Sequence, residues 1–212
     1  MKKLLSALGL LLSSYANSAC VTPGQILYFT NSLLTRTCAW VDTIGLWRTT
    51  NTQYTTVFVG DSIVANGSWG AGVGNQGYGG DTVQLLLQRI DIVVNANPTD
   101  VYMIVGINDF WRGASATQIF KLYNGTINIL KNAGIHVHVI STPKCNEAMK
   151  GTICVAANTK ISLLNASLSA VTGIDFIDVN STLSDSGGLK AIYTTDGIHL
   201  NSAGYSVVYG LI

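Results

Sequence analysis

The chain has 212 residues, of which 48% are apolar and 11% are charged, and its formal net charge is +1. This composition excludes an intrinsically disordered chain, which would combine low hydrophobicity with high net charge. Because no run of Lys or Arg follows Lys2 and Lys3, the sequence also excludes an electrostatic surface for nucleic acid, and it favours a small uncharged ligand or substrate.

The first residues of the chain have the three parts of a secretory signal sequence. Lys2 and Lys3 precede an apolar run, Leu4–Leu12, and small and polar residues follow as far as Ala19. The apolar run is too short to span a bilayer. We therefore predict that residues 1–19 are a signal peptide, that the protein is secreted or periplasmic, and that it has no transmembrane segment.

The expected mature chain, residues 20–212, forms a single domain and contains an even set of cysteines: Cys20, Cys38, Cys145 and Cys154. In an exported protein such a set favours two disulfides over metal ligation or buried free thiols. Three connectivities are open, and the pairs Cys20–Cys38 and Cys145–Cys154 close the shortest loops. Acylation of Cys20 in a lipoprotein is disfavoured, because Asn17 occupies a position where such signals carry an aliphatic residue.

Helical and extended patterns alternate in the first half of the chain. Apolar residues at helical spacing predict one or two helices within residues 25–50, and the β-branched run Tyr54–Val59 predicts a strand that breaks at Gly60. A glycine-rich loop with a short strand near Val73 precedes a helix predicted over Thr82–Val94.

The second half continues the alternation with predicted strands at Val101–Val105, Ile135–Ile140 and Ile174–Val179, and with predicted helices at Ala116–Asn132, Val155–Val171 and from Asn201 onward. Short apolar strands separated by helices are typical of a parallel sheet that is covered on both faces. We therefore predict an α/β fold with three layers, α/β/α, and a mainly parallel central sheet.

Polar clusters follow the predicted strands at GDS (60–62), GGD (79–81), GIND (106–109) and DGIH (196–199). Ligand sites of open α/β sheets form beyond the carboxyl ends of the strands. Acyl transfer needs a serine nucleophile, a histidine base and a carboxylate that orients the imidazole. Ser62, His199 and Asp196 supply these groups, and we expect activity to rise with pH on the acid side because the base must be neutral.

The tetrahedral intermediate of acyl transfer also needs hydrogen-bond donors for its oxyanion. The candidates are the backbone amides of Ser62 and Gly80 and the side-chain amide of Asn108. Glycine suits position 80, because its backbone N–H can approach a substrate without a side chain in the way. This chemistry requires no metal and no cofactor.

The four clusters together, in this order, resemble the signature blocks of the SGNH hydrolases, the GDSL-type esterases and lipases. The resemblance extends over Val57–Tyr205, although Ile63 replaces the Leu of the GDSL name. It implies a flavodoxin-like SGNH fold. It also implies a triad of Ser62, Asp196 and His199, and an oxyanion hole formed by Ser62, Gly80 and Asn108.

The leading hypothesis is a secreted serine esterase that forms an acyl-enzyme with lipid, short-chain acyl or O-acetyl carbohydrate esters. An acyltransferase with the same triad is one alternative, and a non-catalytic binding module, which the intact triad disfavours, is another. Trp69, Phe110 and Trp111 flank the motif blocks and either line a substrate cleft or pack in the core.

Two further patterns carry less weight. GVGNQG at 72–77 matches the GxGxxG dinucleotide pattern, but no strand is predicted before it and no helix after its third glycine. His136 and His138 share one face of a predicted strand, but the sequence shows no third ligand nearby. We therefore expect these to be buried or edge histidines and not metal ligands.

Overall fold

The computed structural model describes residues 43–47 and 52–212. In this part of the chain the central sheet contains strands β1 (Thr56–Gly60), β2 (Val73–Gly77), β3 (Asp100–Ile104), β4 (His136–Ile140) and β5 (Asp175–Ile177). All neighbouring strands are parallel, and their order is β2-β1-β3-β4-β5. This is the doubly wound order of flavodoxin-like sheets. The predicted α/β class is confirmed.

The helices between the strands are α1 (Ser62–Ala65), α2 (Val83–Gln88), α3 (Ile90–Asn95), α4 (Ile107–Trp111), α5 (Ala116–Asn132), α6 (Glu147–Lys150), α7 (Thr152–Ser169), α8 (Asn180–Leu183) and α9 (Ser202–Tyr209). A two-stranded antiparallel hairpin, β6 (Ser184–Asp185) and β7 (Gly188–Leu189), and a 3-10 turn, Ala191–Tyr193, precede α9. None of the helices in the described part of the chain has the length and apolar character needed to cross a membrane.

Apolar side chains cover both faces of the sheet. Val57, Val101 and Val137 point to one face, where helices α2, α3, α5 and α7 supply the larger buried cluster. Phe58 and Ile104, from alternate positions, point to the other face, where α1 and α9 supply a smaller cluster. This alternation across the strands produces the predicted three layers.

One predicted helix is interrupted. The sequence predicts a continuous helix over Thr82–Val94, but the structure has two helices that meet at Arg89, whose backbone has φ −120° and ψ 14°. The Arg89 side chain is fully buried and forms an ion pair with Asp81 at 2.7 Å. Apolar periodicity cannot reveal such a pair, because it records only which residues are hydrophobic.

Helix α5 confirms its prediction residue for residue. Ser115 caps its first turn and exchanges hydrogen bonds with Gln118, which forms a capping box. The chain leaves the helix through Gly134, whose φ of 83° is accessible to glycine at little cost. The polar cap and the terminal glycine together define the two ends of α5 more precisely than apolar periodicity defines the ends of the other helices.

The GxGxxG pattern lies within an edge strand and not at a dinucleotide turn. Residues Val73–Gly77 form β2, and a Cβ atom on Gly77 would lie 2.1 Å from the backbone nitrogen of Ala65. Glycine is therefore required here for close packing of β2 against the end of α1.

Several predictions concern residues outside the described part. The signal peptide (1–19), the disulfide Cys20–Cys38 and most of the helix predicted within residues 25–50 lie there, although residues 43–47 are helical. The other predicted disulfide, Cys145–Cys154, is present, with the two Cα atoms 5.8 Å apart.

Candidate active site

Ser62 lies at the sharp turn between β1 and α1. Gly60 ends the strand so close to β3 that a Cβ atom there would lie 1.8 Å from the carbonyl oxygen of Ile104. Asp61 then caps α1, because its Oδ1 accepts a hydrogen bond of 3.0 Å from the backbone N–H of Ile63. The turn places Ser62 at the carboxyl end of β1 as the first residue of the helix.

His199 lies between Ser62 and Asp196. Its Nε2 is 2.9 Å from Ser62 Oγ, and its Nδ1 is 2.6 Å from Asp196 Oδ2. A neutral imidazole that donates its one N–H to the carboxylate has a lone pair left to accept the serine proton. The structure thus brings together the three predicted residues in the order that the base role requires.

The Asp196 carboxylate is fixed by its own loop. Its Oδ1 accepts hydrogen bonds from the backbone N–H groups of Ile198 at 2.9 Å and of His199 at 2.8 Å. Partial burial alone would raise the pKa of Asp196, but the hydrogen bonds from the His199 ring and from these two amides lower it well below its ordinary value. The group is therefore an anion at neutral pH and can stabilise an imidazolium.

The loop closed by the Cys145–Cys154 disulfide packs against the loop that contains Asp196 and His199. Asn146, next to Cys145, donates its backbone N–H to the carbonyl oxygen of Gly197 at 2.8 Å. Gly197 has a φ of 84°, and a Cβ atom there would lie 3.0 Å from Cβ of Met149 in α6. Sequence reasoning predicted the disulfide but not this contact between its loop and the site.

The predicted oxyanion donors lie beside the turn that carries Ser62. A Cβ atom on Gly79 would be 3.9 Å from Cβ of Ser62, and Gly80 has a left-handed φ of 83°. Asn108, in the first turn of α4, donates from Nδ2 to the carbonyl oxygen of Asp81 at 2.9 Å. The amide has a second N–H, which is the type of donor that an oxyanion requires.

Arg112 is a residue near the site that sequence reasoning missed. Its Nη2 donates a hydrogen bond of 2.9 Å to the carbonyl oxygen of Gly80. This bond links α4 to the loop of the second motif block and fixes the peptide that precedes Asp81. No sequence motif includes Arg112, so its role becomes visible only in the folded chain.

The buried Arg89–Asp81 ion pair contacts the turn that contains Ser62. Arg89 bonds to the Asp81 carboxylate, and its Nη2 also donates to the carbonyl oxygen of Gly60 at 3.1 Å. The second and first motif blocks are thereby joined under the candidate site. Removal of either charge would break this buried ion pair, which is costly.

Two further buried aspartates belong to the motif blocks. Burial raises the pKa of Asp61 to about 7, although the hydrogen bond from Ile63 opposes this effect. Burial likewise raises the pKa of Asp109 to about 7, against the opposing hydrogen bond from the backbone N–H of Val83 at the start of α2. Both side chains hold backbone turns in place from beneath the site.

Two of the three aromatic residues near the blocks pack against the core clusters. Trp69 stacks on Phe58 with ring centroids 4.0 Å apart and donates Nε1–H to the carbonyl oxygen of Val64. Phe110 is 5% exposed and belongs to the larger core cluster. Trp111 is 37% exposed and is the most exposed of these three residues.

Residues 58–207 match the GDSL-like lipase/acylhydrolase family. The chain belongs to this family. Membership identifies it as an SGNH-type hydrolase that acts on ester bonds, in agreement with the resemblance inferred from the four motif blocks.

Individual relatives are more distant. A GDSL-like lipase from Bacteroides thetaiotaomicron is 23% identical, with a TM-score of 0.70 over 79% of this chain and 94% of the other. An acetyl-xylooligosaccharide esterase from Geobacillus is 18% identical, with a TM-score of 0.60 over 76% and 92% of the two chains. These two structures show the same fold.

An N-acylneuraminate cytidylyltransferase from Streptococcus agalactiae is 26% identical over 155 residues, which are 73% of this chain. The matched segment spans only 37% of the length of that curated relative.

Proposed function

We propose that the chain hydrolyses carboxylic esters through an acyl-enzyme formed on Ser62. The observation that carries this proposal is the pair of hydrogen bonds that links Ser62 to His199 and His199 to Asp196. Ser62 Oγ is 2.9 Å from His199 Nε2, and His199 Nδ1 is 2.6 Å from Asp196 Oδ2. The Ser-His-Asp arrangement is recognised by such geometry and not by position in the chain.

In the proposed reaction Ser62 Oγ attacks the ester carbonyl carbon while its proton moves to His199 Nε2. The carbonyl oxygen becomes an oxyanion that accepts hydrogen bonds from the backbone N–H groups of Ser62 and Gly80 and from Asn108 Nδ2. The C–O bond then breaks, and the alcohol leaves with the proton from His199. Asp196 stays ionised and stabilises the imidazolium during both transfers.

The second half of the reaction restores the enzyme. A water molecule gives a proton to His199 Nε2 as its oxygen attacks the acyl carbon. The same donors stabilise the second oxyanion, and the bond to Ser62 Oγ breaks as the serine recovers its proton. The products are a carboxylic acid and an alcohol, and no other reactant is consumed.

We further propose that the preferred substrates carry a small acyl group, such as acetyl, on an uncharged alcohol. Phe110 is buried in the core, and Trp69 is half-buried and stacked on Phe58, so these two rings leave little aromatic surface to line a channel for a long acyl chain. The exposed ring of Trp111 offers a flat face on which a sugar can pack. The fold relative that acts on acetylated xylo-oligosaccharides supports the same choice.

We also propose that the protein acts outside the cytoplasm. The Cys145–Cys154 disulfide supports export, because disulfides persist in oxidising compartments. The dilysine and leucine-rich run near the start of the sequence supports it too. The mass of the protein from the exported fraction, with and without reduction, would test both points.

Covalent labelling tests the proposed function. A fluorophosphonate should add to Ser62, as located by peptide mass mapping, and 4-nitrophenyl acetate should be turned over faster than the decanoate ester. Ser62→Ala should lose both labelling and turnover, whereas Ser68→Ala, a matched change at an exposed serine, should keep both. Label on another residue would refute the assignment of the nucleophile, and preference for the decanoate would refute the small acyl group.

A further inference from the structure

A second cluster of histidines and aspartates lies at the opposite, amino-terminal end of the sheet. Asp100 is the first residue of β3, His136 and His138 lie in β4, and Asp175 is the first residue of β5. Strand register places Asp100 beside His136 and His138 beside Asp175. The expectation that no third ligand lies near these histidines is therefore wrong, because parallel pairing brings in carboxylates from distant parts of the chain.

Each imidazole ring lies between two carboxylates. Asp100 Oδ1 is 3.2 Å from His136 Nδ1 and 2.9 Å from His138 Nε2. On the other side, Asp175 Oδ2 is 3.1 Å from His136 Nε2 and 3.2 Å from His138 Nδ1. All four nitrogens of the two rings thus face carboxylate oxygens.

Two neutral imidazoles do not have enough N–H groups to donate a hydrogen bond to every carboxylate oxygen that faces a ring nitrogen. A neutral imidazole has one N–H, and an ionised carboxylate can only accept hydrogen bonds. If both rings donate to Asp175, then His136 Nδ1 and His138 Nε2 direct lone pairs toward Asp100 Oδ1. Those three atoms need either a further proton on each ring or a cation placed among them.

We propose that Asp100 Oδ1, His136 Nδ1 and His138 Nε2 bind a divalent transition metal ion such as zinc. One ligand atom from each of the three residues lies within 4.8 Å of the other two. Ligands about 2.0 to 2.1 Å from a tetrahedral zinc ion are about 3.4 Å apart, so small side-chain shifts suffice. Two imidazole nitrogens with a carboxylate oxygen are a ligand set that suits zinc, and water would complete the coordination.

Asp175 has the position of an outer partner for this metal. Metal-binding histidines commonly donate their other N–H to a carboxylate, which fixes the tautomer and the orientation of the ring. Asp175 Oδ2 is placed to accept from both rings at once. The result would be a site that connects β3 and β4 through the ion and reaches β5 through Asp175.

The proposed metal site has one restrained histidine and is open to solvent. His138 is 12% exposed and stacks on Tyr102 of β3 with ring centroids 4.2 Å apart, which restricts its rotation. His136 and Asp175 are 53% and 56% exposed, so an ion can enter from solvent. The triad histidine, His199, lies at the other end of the sheet, so the two sites can be separated by mutation.

The experiment is a calorimetric titration of chelator-treated protein with zinc chloride, paired with thermal unfolding with and without zinc. We expect one equivalent of zinc to bind and to raise the unfolding midpoint, both in the unaltered protein and in His199→Ala. The double variant His136→Gln/His138→Gln and the single variant Asp100→Asn should lose this response. Asp175→Asn should weaken binding about 10- to 100-fold, the usual cost of an outer partner.

Asp185→Asn, at the exposed end of β6, is the matched control and should bind zinc normally. Absence of zinc binding to the unaltered protein would overturn the proposal. Loss of binding in His199→Ala, or its survival in Asp100→Asn, would also overturn it. Because Asp100→Asn retains a side chain of the same size, it provides the test even if the double histidine variant does not fold.

Discussion

The two ends of the sheet contain the same residue types in opposite arrangements. At the carboxyl end, His199 has a carboxylate at one nitrogen and the Ser62 hydroxyl at the other. At the amino end, His136 and His138 have carboxylates at both nitrogens. A hydroxyl can give a proton to an imidazole, whereas an ionised carboxylate can only accept one.

This difference suits the two clusters to different chemistry. His199 can be neutral with all its neighbours satisfied, so its Nε2 is available as a base. At the amino end, two neutral rings leave two nitrogen lone pairs facing carboxylate oxygens, and a metal ion placed among these atoms would satisfy them. Both clusters contain His–Asp pairs. What distinguishes the proposed base from the proposed metal ligands is the group that faces the second ring nitrogen, a hydroxyl in one cluster and a carboxylate in the other.

The largest expected effect separates the two ends directly. His199→Ala should lower kcat/KM for an acetyl ester by more than about 10³-fold, because the serine loses its base. His138→Ala, at the amino end, should leave kcat/KM within about twofold, since it removes no group near Ser62. Initial rates of ester hydrolysis measure both values. Equal losses in the two variants would remove the distinction between the ends.

The carboxylates should differ in the same way. Asp196→Asn should lower kcat by about 10³- to 10⁴-fold, because an amide can favour the wrong tautomer of His199. The matched change at the amino end, Asp175→Asn, should leave kcat unchanged. Steady-state kinetics on the two folded variants would check this, and a fully active Asp196→Asn enzyme would rule out the triad.

The oxyanion role of Asn108 predicts a somewhat smaller loss. Asn108→Ala should lower kcat by about 10²- to 10³-fold with little change in KM, because the amide acts on charge that develops in the transition state. Asn132→Ala, at the exposed end of α5, is the control and should match the parent enzyme. A change confined to KM would point to ground-state binding of the substrate instead.

The buried ion pair should dominate stability at the carboxyl end. Arg89→Met should lower the free energy of unfolding by about 3 to 5 kcal/mol, because it breaks a buried ion pair and removes the hydrogen bond to the carbonyl oxygen of Gly60. Lys121→Met, at an exposed position of α5, should change it by less than about 0.5 kcal/mol. Urea unfolding gives both values. A small loss for Arg89→Met would contradict a major contribution of this ion pair to stability.

Asp61 should make stability depend on pH. Because the folded-state pKa of about 7 exceeds the ordinary value of 3.8, the folded protein binds the proton more tightly than the unfolded chain. The stabilising contribution is complete below the ordinary pKa and is lost as the pH rises through the folded value. Asp61→Asn, which keeps an oxygen to cap α1, should therefore gain stability relative to the parent as the pH is raised.

The slope for Asp61 cannot exceed about 1.4 kcal/mol per pH unit. Urea unfolding at several pH values between about 4 and 8 measures it as the difference between parent and variant. A constant difference between the parent and Asp61→Asn across this range would contradict a titrating Asp61.

The sequence was informative where function depends on local signals. The four motif blocks identified the residues that converge beside Ser62, and the pattern that ends near Gly134 predicted α5 with the bounds that the structure shows. The short spacing of Cys145 and Cys154 likewise favoured the disulfide that is present. Each of these signals lies within about ten neighbouring positions or at the end of an apolar run.

The features that sequence reasoning missed depend on pairing between distant segments. Asp100 and His136 are 36 positions apart, and only the register of β3 with β4 makes them neighbours. The break at Arg89 depends on a buried contact with Gly60 that apolar periodicity does not record. Such contacts are specified by tertiary structure, so a single sequence without coordinates could not predict them.

The comparison between the two ends is tested most directly by nitrogen-15 NMR of the imidazole rings, since the chain has only three histidines. Spectra would be recorded at about pH 8 before and after one equivalent of zinc, well above the ordinary titration range of histidine. We expect zinc to shift the Nδ1 resonance of His136 and the Nε2 resonance of His138, while both nitrogens of His199 keep their resonances, with the proton on Nδ1. A zinc-induced shift at His199, or three rings that respond alike, would contradict the account.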